Sequence, residues 1–409
     1  MNKKLIALAV AGACVAPAAM AQTANPVTLY GRVHATFESV QATAGTFAAT
    51  AAGNGEQVRR NRVSDQASLL GVRGTEDLGG GLKAFFQLET AFKPDQNDST
   101  FAARNSGVGL QGGWGSLLLG RWDTPYKTVT TAIDPYGDVT LGGWNTAMNG
   151  AGMFGLTGAN AFDRRDQNVV QYWSPSWGGF AFRLSYAANE GRSAANCAGR
   201  PATPVQGCNP RSDGASVSYT GGPVYVAYAY HRLKDQPTNS LQFTLTGTNV
   251  TAIAFPTLTP PTQTGNEIVG TFTFGPVKIG GAYEKIKRSD SGAALVAGNV
   301  VGFSDRKAWA ANVVWTFGNN QLIFQYQKAQ DGGVRVQGVP ANLTQVLEPS
   351  CKVMSPGYQY NFSRRTFFLA QYTKIDNNAT GVCNFGSNPL TNVIGADYKG
   401  ISLGLRHIF

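Results

Sequence analysis

The chain closes on GISLGLRHIF, residues 400–409, and the alternation in this stretch decides the architecture. Ile401, Leu403, Leu405 and Phe409 recur at every second position, with His407 in the same series. Period two marks a strand lying between apolar and other surroundings. Chain ends commonly fray into polar tails. This one stops on an aromatic, inside a strand.

The same pattern runs back through the chain in pairs. VTLYGRVHATFESV (27–40) sets Val27, Leu29, Gly31, Val33, Ala35 and Phe37 on one face and Thr28, Tyr30, Arg32, His34, Thr36 and Glu38 on the other. SLLGVRGTED turns at Leu78-Gly79-Gly80-Gly81 into LKAFFQLETAF, and RNSGVGLQ turns at Gly112-Gly113 into WGSLLLGRW. NVVQYWS returns as FAFRLSYAA, GASVSYT as VYVAYAYHR, EIVGTFTF as VKIGGAYEKIK, KAWAANVVWTF as QLIFQYQK, and VMSPGYQYNF as TFFLAQYTKI. The turns are short and rich in Gly, Pro and Asn, as hairpins require. With the first and last strands the count is sixteen. Between hairpins lie long segments rich in Gly, Asn, Thr and Ser, at 123–163, 189–212 and 234–265. TFFLAQY breaks the alternation, which leaves its facing open.

Composition separates two classes that share this pattern. Charged residues are 14% of 409, against roughly 25% in ordinary globular proteins, and Gly numbers 50. No run approaches the ~18 apolar residues of a spanning helix. A soluble sandwich and a membrane barrel both remain. Three features favour the barrel. Aromatics crowd the apolar faces near the turns (Tyr172, Phe180, Phe272, Phe274, Trp315, Phe317, Tyr358, Tyr360, Phe362), as an interfacial girdle does. The strands run to about ten residues, the length that crosses a bilayer when tilted. The opposite faces are polar and small, suited to water. Short turns at one end and long loops at the other complete the layout of an outer-membrane β-barrel.

The start of the chain agrees. MNKKLIALAVAGACVAPAAMAQ reads as a secretory signal peptide: Lys3 and Lys4, an apolar run, then Ala19-Met20-Ala21 before Gln22. Ala11, three before Cys14, stands where lipoprotein signals place a large aliphatic, which argues against lipidation. The expected organisation is a signal peptide at 1–21 and one barrel domain at 22–409. Net charge is +10, or +8 without Lys3 and Lys4. Cys197, Cys208, Cys351 and Cys383 remain after cleavage and allow three pairings. The proximity of Cys197 and Cys208 favours 197–208 and 351–383 disulfides in an oxidising compartment. No metal pattern, phosphate loop or G-x-S-x-G is present, and no cofactor, metal or nucleic-acid partner is expected. His34, His231 and His407 stand on separate strands, so no hydrolytic constellation is expected either.

VTLYGRV, GVRGTEDLGGGLKAFFQLE, GSLLLGRWDTPY, NVVQYWSPSWGGF and the terminal GLRHIF resemble the Gram-negative general porins, in particular the β-proteobacterial trimeric porins. The resemblance implies an all-β, sixteen-stranded transmembrane barrel, a homotrimer, and a third long loop (123–163) folded into the pore as a constriction. It implies contacts with outer-membrane lipids and lipopolysaccharide. It also implies that the last strand, with Leu403, Leu405 and Phe409, is the signal read by the barrel assembly machinery. One departure is Leu69, where the family often carries Arg beside Ser68. The implied function is a water-filled diffusion channel for small hydrophilic solutes and anions. A solute-specific channel, or a surface barrel serving as adhesin or phage receptor, are the alternatives.

Alternation then assigns the pore wall. Arg32, Arg73, Lys83, Arg165 and Arg183 fall on the polar parity, with Arg32, Arg73 and Arg183 nearer mid-height. The inward acids Glu38, Glu89, Glu267 and Glu284 fall toward the loop ends. Rings of Arg and Lys at a constriction favour anions, and low-dielectric walls strengthen their field. Asp134 and Asp138, bracketing a Pro-Tyr-Gly turn in the third long loop, are the expected acidic face opposite, as the resemblance implies.

Overall fold

The computed structural model describes residues 27–46, 56–96, 98–137, 140–151, 162–188, 210–234, 242–246, 249–254, 262–288, 300–337, 345–391 and 393–409. Residues 1–21, Asp138, Cys197 and Cys208 therefore lie outside the described residues.

Sixteen antiparallel spans close one barrel. They are β1 (Val27–Ala42), β2 (Gln57–Asp65, continued by Leu69–Gly79), β3 (Leu82–Lys93) and β4 (Asp98–Thr100, continued by Ser106–Gly112). Next come β5 (Gly115–Asp123), β6 (Arg165–Trp173), β7 (Phe180–Ala188), β8 (Arg211–Gly221), β9 (Val224–Lys234) and β10 (Thr262–Phe274). The remainder are β11 (Val277–Arg288), β12 (Arg306–Phe317), β13 (Asn320–Asp331), β14 (Cys351–Asn361), β15 (Thr366–Asn377) and β16 (Tyr398–Ile408). Each pairs with its neighbour in sequence, and β16 returns to β1 from Arg32↔Ile408 to Ala42↔Tyr398. Closure removes every strand edge from the bilayer, where an unpaired backbone group has no water to bond. Among the described residues no helix is long and apolar enough to cross a membrane.

The period-two pattern becomes two faces. Outward side chains are apolar and open to the surroundings, among them Phe37, Leu119, Ile268, Phe324 and Leu403. The girdle aromatics Phe180, Phe272, Phe274, Trp315, Phe317 and Phe362 are exposed beside the short turns. Inward side chains are small or polar and mostly buried. β15 resolves its broken alternation with Leu369, Gln371 and Thr373 inward and Phe368 and Tyr372 on the opposite parity.

Two differences from the pattern have a local cause. β2 begins at Gln57, before the SLLGVRGTED stretch, because Ala67 takes a left-handed φ of 58° and breaks the ladder without ending the span. Its two halves pair with successive parts of β1. In β6 a second bulge, at Asn168 (φ 52°), shifts the register against β5 and reverses the parity of the residues before it.

Candidate functional site

The third long loop lies inside the barrel. It opens with helix α1 (Pro125–Thr131), whose N-cap Thr124 hydroxyl accepts from the Lys127 amide at 3.2 Å, with Pro125 in the first turn. Tyr126, Val129, Ile133, Leu141, Trp144, Met148 and Phe162 are buried against the inner faces of β9 to β16. That wall makes room for them. Ala227, Ala229, Ala308 and Ala310 point inward beneath the loop. A Cβ on Gly265 would fall 2.6 Å from the Phe162 ring, and one on Gly357 2.8 Å from the Tyr136 ring.

Polar anchors fix the loop's position. Thr130 Oγ1 donates to Glu267 Oε2 at 2.7 Å, and Tyr126 donates to Glu284 Oε2 at 3.0 Å. Arg306 donates to Glu284 and to the carbonyls of Ala147 and Ala151. Gln325 and Gln327 donate to the carbonyls of Gly142 and Gly143, both at 2.9 Å, and Asn312 to that of Ile133 at 3.1 Å. Burial, then the Glu284 and Glu267 carboxylates, push the Tyr126 phenol well above its ordinary range, so it stays a donor. Glu267 and Glu284, which alternation places inward, are thus covered by the loop.

Arginines on the inner faces of β2, β4, β7 and β16 mark the rest of the barrel interior. Its arginines fall into two kinds. Arg62 is bonded to Glu38 at 2.7 Å and Arg104 to Glu89 at 2.6 Å, so each charge is compensated in place. Three others are backed by rings. The Arg73 guanidinium lies 5.0 Å from the Tyr30 ring centre, Arg183 5.3 Å from Trp173, and Arg406 5.3 Å from Phe367. An aromatic face holds a cation without cancelling its charge. Arg183 and Arg406 also meet the loop, at Thr128 Oγ1 (3.4 Å) and the Gly137 carbonyl (3.1 Å).

The remaining expected residues are distributed as follows. Arg32 points inward, donates to the Ala67 carbonyl at 2.8 Å and stands opposite Ile408 of β16. Leu69 is its register partner on the wall. Lys83 is paired in register with Asp77 beside the short turn. Arg165 does not keep the expected parity. Beyond the Asn168 bulge, Gln167 joins Leu119 and Val170 around an outer-surface groove, Asp166 is buried, and Arg165 is tied to Asp123 at 2.9 Å and Asn105 at 2.6 Å. Asp134 accepts from the Tyr136 amide at 3.0 Å. Cys351 and Cys383 form a disulfide with a Cα separation of 6.2 Å. Arg406 was not expected at the pore, although it shares the parity of Ser402 and Gly404 in the closing strand. That alternation was the signal.

One cluster brings together residues that sequence spacing keeps apart. Ser212 Oγ lies 2.6 Å from Asp166 Oδ2 and 2.9 Å from His231 Nε2, all three fully buried. The serine hydroxyl donates to the carboxylate, and the imidazole meets the serine oxygen rather than being oriented by the acid. This ties β6, β8 and β9 together and is the reverse of an activated nucleophile. Among the described residues no three His, Cys, Asp or Glu side chains converge as metal ligands.

Comparison with known proteins agrees with this architecture. The Gram-negative porin family profile matches residues 7–380. Outer membrane porin protein 32 of Delftia acidovorans is 29% identical over 421 residues, across 100% of both chains. Major outer membrane protein P.IB of Neisseria meningitidis serogroup B is 32% identical over 244 residues, 58% of this chain and 62% of that one. Among solved structures, the anion-selective porin from Comamonas acidovorans superposes with a TM-score of 0.68 at 24% identity, over 94% of this chain and 100% of that one. A trimer form of OmpT, an outer membrane protein of Vibrio cholerae, superposes with a TM-score of 0.61 at 17% identity, over 94% of this chain and 100% of that one. A family match that spans the barrel from its first strand into its last long loop settles the matter, and the chain belongs to the Gram-negative porins.

Proposed function

We infer that this outer-membrane porin is a passive, water-filled channel for small hydrophilic solutes that prefers anions. The observation that carries the preference is the backing of Arg73 and Arg183 by rings in place of carboxylates. Guanidinium stays protonated at any workable pH, so these are fixed positive charges along the lumen. The third long loop confines ions to their side of the barrel, where a charge within a Debye length of about 8–10 Å is felt. Arg32 adds to the positive wall, and Lys83 extends it toward the short-turn mouth. The anion selectivity for which the Comamonas acidovorans porin is named is consistent with the same sign here.

Assembly as a homotrimer accords with the trimer form of the Vibrio protein. The outward series Ile401, Leu403 and Leu405, ending on Phe409, serves on this reading as the signal for the barrel assembly machinery. Recording in a planar bilayer tests the function. The expected result is ready conduction of potassium chloride in steps of three equal levels, with a reversal potential in a salt gradient displaced toward that of chloride. A closed barrel without conductance would overturn the channel in favour of a surface receptor. A potential displaced toward potassium would overturn the anion preference.

A further inference from the structure

The inner wall of β3 to β7 carries an aromatic patch where the rest of the interior is small or polar. Phe85 and Trp173 share the inward parity of Gln87 and Gln171, and Trp122 stands opposite the buried Asp166. Their rings gather at one place. The Trp173 ring centre lies 5.3 Å from that of Trp122 and 6.2 Å from that of Phe85. Glycines make the wall beneath them low: Phe85 is opposite Gly109, and Gly107 is opposite Gly120. A Cβ on Gly109 would fall 2.5 Å from the Phe85 ring, so that ring lies against the wall. All three rings nevertheless remain partly exposed, and an inward side chain of a closed barrel is exposed to the lumen.

A cation borders the patch. Arg183 is directly opposite Trp173, and its guanidinium lies over the Trp173 ring, 5.3 Å from the centre. Stacking occupies the face of a guanidinium and leaves its N–H edge for a planar acceptor. Thr128 Oγ1 takes one of these donors at 3.4 Å, and no carboxylate among the described residues forms an ion pair with the group. Trp173 is itself held in place, its Nε1 donating to Gln171 Oε1 at 2.9 Å. Packing within the barrel accounts for the sides of these rings that meet the wall. It leaves apolar faces open beside an uncompensated cation, and a contiguous open patch of this kind is a binding surface.

We propose that the patch is a subsite in the lumen wall for small aromatic carboxylates, of which benzoate is the simplest. The carboxylate meets the Arg183 N–H edge, and the ligand ring packs against Trp173 and Phe85, with Trp122 on the long-loop side. An aliphatic monoanion keeps only the charge contact, and a neutral ring only the stacking. The proposal rests on the reading of the lumen as an anion path and names a class of solute for it.

The test is calorimetric titration of sodium benzoate into the purified protein in neutral detergent, with protein-free micelles as the blank. Benzoate should bind about tenfold more tightly than acetate or benzamide. Trp173→Leu should weaken benzoate about fivefold, whereas Trp173→Phe, which restores a ring, should stay within about twofold of the parent. Arg183→Gln should weaken it about tenfold. Phe85→Leu, on a separate strand, should cost about two- to fivefold and carries the test if Trp173→Leu does not yield a folded, heat-modifiable barrel. Absence of benzoate binding, acetate binding as tight as benzoate, or parent-like benzoate affinity in the leucine variants would overturn the proposal. The reversal potential in potassium chloride alone reports the anion path separately. Chloride preference without benzoate binding overturns the subsite and leaves the channel reading intact; benzoate binding without chloride preference does the opposite.

Discussion

The guanidinium of Arg104 shows what a single neighbouring carboxylate does to this pore. Glu89 holds it at 2.6 Å and also accepts from Tyr30 at 3.2 Å, so the pair contributes no net charge. Glu89→Gln keeps the shape and removes this carboxylate's charge. We expect the chloride-to-potassium permeability ratio to rise by a factor of about two to five, read from the reversal potential. Arg73→Gln and Arg183→Gln remove charges that rings leave uncancelled and should lower the same ratio by a similar factor, more strongly at low salt. Equal shifts from Lys328→Gln, which lies outside the lumen, would assign selectivity to the overall field instead. The inward parity of Arg32, Arg73 and Arg183 was legible from alternation. Their partners were not, because Tyr30 and Arg73, or Trp173 and Arg183, meet across strands whose register a single sequence does not state. Arg165 shows the converse. One left-handed residue, Asn168, overrides the parity of its neighbours.

At the scale of the element, the third long loop is a folded insert held by its wall rather than a tether. A Cβ on Gly142 would sit 1.9 Å from Ser355 Oγ and 2.4 Å from Thr373 Oγ1. Gly142→Val should therefore lift the loop, at a cost of about 1–3 kcal/mol in barrel stability, and produce larger, noisier conductance. The Glu284–Arg306 pair is fully buried. Arg306→Met alone should destabilise by about 3–5 kcal/mol, because it strands a buried carboxylate, whereas Arg306→Met with Glu284→Leu should cost much less. Thermal unfolding of the two variants, compared with the parent, separates these outcomes; equal losses would show that the pair acts through packing alone. The loop's length and glycine content were visible in the sequence. Its choice of wall was not. Glu267 and Glu284 are more than a hundred residues from the Thr130 and Tyr126 they receive, and only closure of the barrel brings them together.

For the whole molecule, closure is a mutual fit of the two ends. The Gly31 amide donates to the Phe409 carbonyl and the Phe409 amide to the Gly31 carbonyl, both at 3.0 Å. A Cβ on Gly31 would fall 2.6 Å from the Phe409 ring. Deleting Phe409, or making Gly31→Val, should lower the yield of folded, heat-modifiable barrel severalfold, while a change in an exposed long loop should not; unaltered yield after the deletion would remove the seam from the assembly signal. The Cys351–Cys383 disulfide ties β14 to the start of the last long loop, just before the buried Phe385 and Leu390 and before Gly386, whose amide donates to the Leu141 carbonyl of the third loop. Cys383→Ser should cost about 3–4 kcal/mol, measured by unfolding with and without reductant. Period-two alternation, aromatic girdles and short turns determined by themselves that this chain is a barrel of sixteen strands, since those signals are local and repeat in every hairpin. Which arginines stay uncompensated, which wall receives the loop and which rings gather beside Arg183 were decided only by the tertiary structure, because they depend on register and closure between residues far apart in the chain.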